Sequence, residues 1–458
     1  MTFPAYPEYK PSGFDWLPEV PAHWMDRKIA RDIPFVVGWT PPSGKDEYYD
    51  GDLPWVTIAD MTQMTVEDTK SKISHLAVRD KGAKVVPAGS MLFSFKLSVG
   101  KIAFLTIDSY TNEAIAGFLP CGPLDLEYWK YAAPEFIPRY GRENIYGATL
   151  LNQELISFVR FFAPARVEQT QIARFLDHET ARIDALIEEQ QRLIELLKEK
   201  RQAVISHAIT KGLDPTVPMK DSGVAWLGEV PAHWKVIKLG LLASDRCDGP
   251  FGSALKSEHY TDEGVRVIRL QNIKSGWFND ADSAFIDADY YRENIGKSDV
   301  VSGDVLIAGL GDDNNPVGRA CVAPENIAPA MVKADCFRFR LMPDVAVSEF
   351  IALQLTAGAT ADAGILSTGS TRARIPLSSM STRLIALPPV TEQQAIVSFI
   401  QRLNENIDSL FSEAQSGITL LQERRSALIS AAVTGKIDVR SWQPPASTQA
   451  PKLVQEAV

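Results

Sequence analysis

The sequence lacks almost everything that marks an enzyme. Its four cysteines, Cys121, Cys247, Cys321 and Cys336, have no Cys-x-x-Cys spacing. Buried thiols in a reducing cytoplasm are therefore expected, rather than zinc or a disulfide framework. No apolar run approaches the roughly eighteen residues of a membrane span, and no charged-then-apolar leader opens the chain. Each Gly-Lys pair, at Gly44, Gly100, Gly296 and Gly435, lacks the upstream glycine of a phosphate-cradling loop. There is no His-Glu-x-x-His and no Gly-x-Ser-x-Gly. Asn314-Asn315-Pro316-Val317 lacks the second proline and the aromatic of an amino-methyltransferase loop, and Gly309-Leu310-Gly311 is only a fragment of a dinucleotide motif. A basic excess is missing too. Lysine and arginine number 47 against 57 aspartates and glutamates, a net charge of −10, which argues against binding nucleic acid by bulk electrostatics alone.

What the chain has instead is repetition. From Glu168 to Asp214 nearly every window is helix-forming, with apolar residues returning every seventh position at Leu176, Ile183, Leu197 and Val204. Leu186 and Leu193 follow three residues after their neighbours, which predicts a coiled-coil seam with Gln190 as a polar interruption. From Glu168 to Ser206 such a helix extends roughly 58 Å, far longer than one compact core requires. Sliding the sequence along itself by 224 positions superposes this stretch on Glu392 to Asp438, pairing Glu168-Gln169 with Glu392-Gln393, Ile183-Asp184 with Ile407-Asp408, and Arg201 with Arg425. The seam carries over as Ile400, Ile407, Ala414, Leu421 and Leu428. Two such helices can bury each other.

A second repeat, offset by 210, joins Trp16-Leu17-x-Glu19-Val20-Pro21-Ala22-His23-Trp24 to Trp226-Leu227-x-Glu229-Val230-Pro231-Ala232-His233-Trp234. The chain therefore runs box, block, helix, box, block, helix. The expected segments are 1–24 with the first box, 25–163 as first insert, 164–214 as central helix, 215–234 as second box, 235–387 as second insert, 388–438 as C-terminal helix and 439–458 as flexible tail. The first dozen residues are also expected to be flexible. Thr391 and Gln394 read as a capping box for the second helix. His23, repeated without a matching acid or nucleophile, reads as a packed histidine.

Both inserts read as mixed α/β (α+β) with short strands, and one fold used twice is expected. Leu53–Ile58, Ser90–Phe95 and Lys101–Leu105 line up with Val265–Leu270, Gly303–Ala308 and Val317–Val322. The loops between them carry the polar interest. Lys45, Lys96, Ser98, Lys101, Arg139, Tyr140 and Arg142 in the first insert are candidate DNA contacts, as are Lys256, Arg269, Asn272, Arg319, Thr371, Arg372 and Arg374 in the second. Basic and amide groups beside glycines suit phosphates and base edges.

The paired boxes, the Glu-Gln-x-x-Ile-x-x-Phe-Leu helix entry, Lys198 to Leu213, Val267 to Ile273 and the Gly-Ser-Thr loop at Gly369 resemble the specificity subunits of Type I restriction-modification enzymes. The resemblance implies a cytoplasmic, non-catalytic subunit with two target recognition domains, each reading one half of a split, non-palindromic site on double-stranded DNA. Two antiparallel helices would set the spacing and dock two methyltransferase subunits, with restriction/translocase subunits in the full complex. S-adenosylmethionine, ATP and magnesium would then belong to the partners. A protein-binding scaffold and a degenerate methyltransferase or nuclease are the alternatives from other classes.

Overall fold

The computed structural model describes residues 3–445 apart from 97, 144–148, 252–253, 313 and 367–372. The chain forms two compact units, one of residues 1–190 and 415–458, the other of residues 191–414. Each unit contains one box, one insert and a part of both long helices, Arg166–Lys211 and Val390–Val433.

In the first unit the box forms the strands Tyr9–Phe14 and Leu17–Pro21, paired antiparallel. Trp24 behind them is fully buried and donates its indole N–H to Glu168 Oε1 at 3.2 Å, while His23 meets Glu168 Oε2 at 2.8 Å. The second unit repeats this contact by contact. Trp234 donates to Glu392 Oε1 at 3.0 Å, and His233 lies 2.8 Å from Glu392 Oε2. Lys10 and Lys220 cap the Trp24 and Trp234 carbonyls in the same way. The next residue of each helix is also matched. Gln169 and Gln393 are fully buried, bond back to the carbonyls of Pro164 and Pro388, and accept the N–H of Asp125 and Val347. Every polar group of these buried amides is thus used, as burial demands. The second helix begins at Val390, one residue before the expected capping box, and the Gln393 side chain supplies the tie that the box was expected to make.

Within each unit the two helices run antiparallel. In the first unit Asp184 pairs with Arg425 at 2.9 Å; in the second Asp408 pairs with Arg201 at 3.1 Å. Those two pairs are the same pair under the 224-residue shift. Their carboxylates are about half exposed, so each contributes roughly 0–1 kcal/mol; the apolar seam contributes more. Leu176, Ile183, Ile400, Ile407 and Ala414 are buried, and Leu197, Val204, Leu421 and Leu428 are half-buried. The second set of seam positions differs from expectation. It lies four residues after the first, at Ile187, Ile194, Phe411 and Ile418, whereas Leu186 and Leu193 are 39% and 43% exposed. Apolar residues at both spacings made the two choices look alike in the sequence.

The inserts share one fold. In the first, the strands Phe35–Val37, Ile115–Phe118, Met91–Ser94 and Ile102–Leu105 pair antiparallel in that order, with Met91 opposite Phe118. In the second the order is Ala243–Asp248, Cys336–Leu341, Val305–Ala308 and Ala320–Val322, again antiparallel, with Val305 opposite Phe339. A parallel pair accompanies each sheet, Leu53–Val56 with Tyr110–Thr111 and Val265–Ile268 with Ala330–Val332. All six expected strands are present, each trimmed at its ends.

Both termini depart from expectation. Tyr6 is buried and donates to Glu168, Val439 is buried, and the Trp442 ring sits edge-on to Phe175 at a centroid distance of 5.3 Å. Phe3, Tyr6, Tyr9, Val439 and Trp442 therefore help close the core of the first unit, their aromatic content outweighing the prolines that made these segments look loose; residues 446–458 of the expected tail lie outside the described residues.

The corrected seam gives a direct test by urea denaturation of the full chain. Ile407→Ala is expected to cost about 2–4 kcal/mol as a buried deletion. Leu410→Ala, three residues on and 46% exposed, is expected to stay within about 0.5 kcal/mol.

Candidate nucleic-acid interface

The two inserts place equivalent hairpin loops at equivalent ends of their sheets, and these loops are where they differ most. In the first insert the loop spans 95–101. Gly100, at φ +94, donates to the Ser94 carbonyl at 2.9 Å and closes a tight turn. Lys96 and Ser98 project from it into solvent, while Lys101 turns back to the Ile58 carbonyl at 3.3 Å. Beside the loop, Thr40 bonds Glu113, and that contact, with help from Lys96, holds the Glu113 carboxyl below the usual carboxylate range.

In the second insert the corresponding loop spans 309–319 and folds around Arg319. Arg319 is 4% exposed, and its guanidinium donates to five backbone carbonyls: Ile273 at 2.7 Å, Leu270 at 2.9 Å, Leu310 at 3.1 Å, and Asn315 and Pro316 at 3.2 Å. Burial lowers its pKa. A cleft of about 220 Å³ opens over it, walled by Gln271, Lys274, Asp312 and Asn315. Arg374 lies at the edge of this loop, its backbone bridged to Leu310. Its Nε donates to Asp335 Oδ1 at 2.8 Å, and its guanidinium lies 5.4 Å above the Phe251 ring.

Several expected contact residues turn out to serve the fold. Asn272 is fully buried, donates to the carbonyls of Asn279 and Asp282 and accepts the Arg269 N–H, leaving nothing for a ligand. Arg319 is spent on carbonyls as described. Arg269 is paired with Asp282 through both Nε and Nη2. Tyr140 bridges the backbone N–H and carbonyl of Arg160, both at 3.0 Å. Arg139 bonds Glu135 and lies 4.2 Å over Trp16. A polar loop residue in sequence can equally be the pin that shapes the loop. Lys45 lies over Tyr48 at 4.6 Å, Lys256 is 3.5 Å from Glu258, and both stay exposed, as does Arg142. Thr371 and Arg372 lie outside the described residues. Sequence reasoning missed Lys274, Asn315 and the exposed Trp277, which is 57% accessible on the Gly276 turn. A glycine beside a tryptophan between polar residues was the available signal. Among the described residues, no group of acidic, histidine and cysteine side chains could hold a metal ion, and no helix is long and apolar enough to cross a membrane.

Residues 24–197 match the family model described as the Type I restriction modification DNA specificity domain. The first insert and the helix that follows it are therefore similar to a type I restriction-modification DNA specificity domain. Among relatives in this family, the Type I restriction enzyme MjaIX specificity subunit of Methanocaldococcus jannaschii is 22% identical over 269 residues, covering 56% of this chain and 60% of that one. This chain thus spans about 60% of that relative's length. A solved chain from a study of type I R-M assembly and conformational transition has the same fold, with a TM-score of 0.63 and 16% identity over 91% of this chain and 99% of that one. The HsdS subunit of Thermoanaerobacter tengcongensis gives a TM-score of 0.55 at 14% identity, over 91% and 98% of the two chains. The matched segment holds the first insert and most of the central helix; the second insert lies outside it and shares the strand order of the first.

Two outcomes are expected from these positions. Arg319→Met removes the donor from five carbonyls and should destabilise the second unit by about 3 kcal/mol or more in urea denaturation. Asp248 carries a pH signature. Burial, reinforced by Asp335, pushes its carboxyl up to about 6. Because the folded state holds this proton to higher pH than the unfolded chain does, stability present below about pH 4 is lost as pH rises through 6. Asp248→Asn should therefore gain about 1–2 kcal/mol at pH 7.5, after discounting a part-exposed carboxyl, and nothing at pH 4. Thermal melts across that range read the difference.

Proposed function

We propose that this chain is the DNA-reading subunit of a type I restriction-modification complex, in which each insert reads one half of a bipartite, non-palindromic site. The observation that carries this reading is the doubled frame holding unlike loops. Box, helix entry and ion pair recur at fixed offsets down to the atom that accepts each bond, whereas the loops at 95–101 and 309–319 differ in length and content. A protein that needed two equal sites would have kept its loops alike. One that needed a single site would not have kept the second frame.

The long helices are read as the spacer that fixes the distance between the half-sites. Linking two weak readers lets the second bind at high effective concentration, provided the spacer matches the separation. One methyltransferase subunit is proposed to dock on each frame. Leu196 and Leu420 occupy equivalent positions under the 224-residue shift and are 52% and 65% exposed; Leu186 and Leu410 form a second such pair at 39% and 46%. Large apolar side chains left bare at repeated positions suit a partner present in two copies. Methyl donor, ATP and magnesium would be handled by the methyltransferase and restriction/translocase partners, which could also supply much of the phosphate clamp.

The test is to co-express the chain with a methyltransferase subunit encoded beside it and map methylated positions by long-read sequencing. A single split motif with a fixed gap is the expected result, and Leu196→Glu with Leu420→Glu should abolish both co-purification and methylation. An assembled, donor-supplied complex that methylates no split motif would overturn the reading.

A further inference from the structure

The second insert contains an arginine whose guanidinium is oriented before any ligand arrives. Arg374 is fixed at three levels. Its backbone is stitched to the loop strand, with Gly311 N–H bonded to the Ala373 carbonyl and Ile375 N–H bonded to the Gly309 carbonyl, both at 2.9 Å. Its Nε is held by Asp335, and its guanidinium lies over the Phe251 ring. Asp335 is itself held. It adopts a left-handed φ of +64, its N–H donates to Asp248 Oδ1 at 3.0 Å, and its carbonyl accepts the Gly309 N–H at 2.8 Å. Gly249, where a Cβ would sit 2.2 Å from the Val332 carbonyl oxygen, lets the segment carrying Asp248 and Phe251 approach closely enough to build this support.

What the support leaves open is informative. The two terminal nitrogens of Arg374 have no hydrogen-bond partner among the described residues, and its side chain is 49% exposed. Phe251 is also 49% exposed. An arginine meant only to neutralise Asp335 would use both arms on the carboxylate, as Arg269 does on Asp282. A lysine would serve a phosphate as well, since a point charge needs no fixed plane. A clamped fork with two parallel N–H bonds directed outward matches a planar pair of acceptors. In the major groove that pair is O6 and N7 of guanine.

We infer that Arg374 is a specificity-determining residue that reads a guanine in the half-site bound by the second insert, with Asp335 and Phe251 as its positioning residues. This rests on the proposed DNA-reading role and adds a defined base and a defined residue to it. The clamp lowers the ordering cost of the contact, because a free arginine would lose rotamer freedom on binding.

The assembled complex, once its motif is mapped, is tested on duplexes in which each guanine of the motif is replaced in turn by 7-deazaguanine, which lacks the N7 acceptor. At one guanine of one half, wild-type binding is expected to weaken by about tenfold or more. Inosine at the same position, which keeps O6 and N7, should be tolerated. Arg374→Ala should bind the natural and 7-deaza duplexes equally and relax the methylated motif at that position alone. Asp335→Asn, which tolerates the same left-handed backbone, should retain only part of the discrimination. The inference is overturned if every guanine tolerates the replacement. It is also overturned if Arg374→Ala weakens all sequences alike with a shallower salt dependence, the mark of a phosphate contact. Should Arg374→Ala fail to assemble, the wild-type substitution series and Arg374→Lys decide the matter. A wild-type complex that methylates no split motif defeats the DNA-reading role itself, whereas an intact motif indifferent to Arg374 defeats only this inference.

Discussion

Each long helix begins with a glutamate that bonds an indole with one oxygen and an imidazole with the other, and much else in each unit depends on that contact. Glu168 draws in Trp24, His23 and Tyr6, so it ties the helix to the box and to the N-terminal segment at once. The adjacent Gln169 then reaches into the insert, where its carbonyl oxygen accepts the Asp125 N–H at the start of the helix Leu126–Phe136. Two consecutive side chains thus set the insert, the box and the helix against one another. Burial makes the arrangement demanding: Trp24 and Gln169 are fully inaccessible, and an unmet polar group there would cost about 1–3 kcal/mol. Glu392 and Gln393 impose the same constraint in the second unit.

The constraint explains why the frame is conspicuous in the sequence and the proposed reading surface is not. Frame residues come in sets that must all be present, so both copies retain Trp and His in the box and Glu and Gln at the helix entry. The residues of the ion pairs, Asp184, Asp408, Arg201 and Arg425, also fall within the repeat, although only the fold shows which acid meets which base. Strands of the inserts were legible from their β-branched and aromatic runs between glycines. The second half of the helix seam was not, since Leu186 and Ile187 are both apolar neighbours and only packing selects the isoleucine. The loops were the least legible part. Asn272 and Arg319 have the composition of contact residues, yet each is a buried pin that satisfies backbone carbonyls. Composition cannot distinguish a side chain that points outward from one that holds its own loop closed.

That distinction bears on the acidic charge of the chain. Among the candidate arginines, Arg139, Arg269 and Arg374 each lie against a carboxylate of their own insert, at Glu135, Asp282 and Asp335. A surface built in this way gives little attraction at a distance, in keeping with the net charge of −10. Such pairs do, however, fix the direction of the groups they hold. Long-range attraction and local direction are separate physical tasks, and Arg374 is arranged for the second, while Arg139 and Arg269 hold their own insert together. Tight association with a polyanion would then have to come from elsewhere, through linkage of two readers or through partner subunits that bring positive charge. Under the proposed function, an acidic chain with an oriented arginine is what one expects when specificity and affinity are assigned to different subunits, because a reader that bound every duplex strongly would discriminate poorly between them.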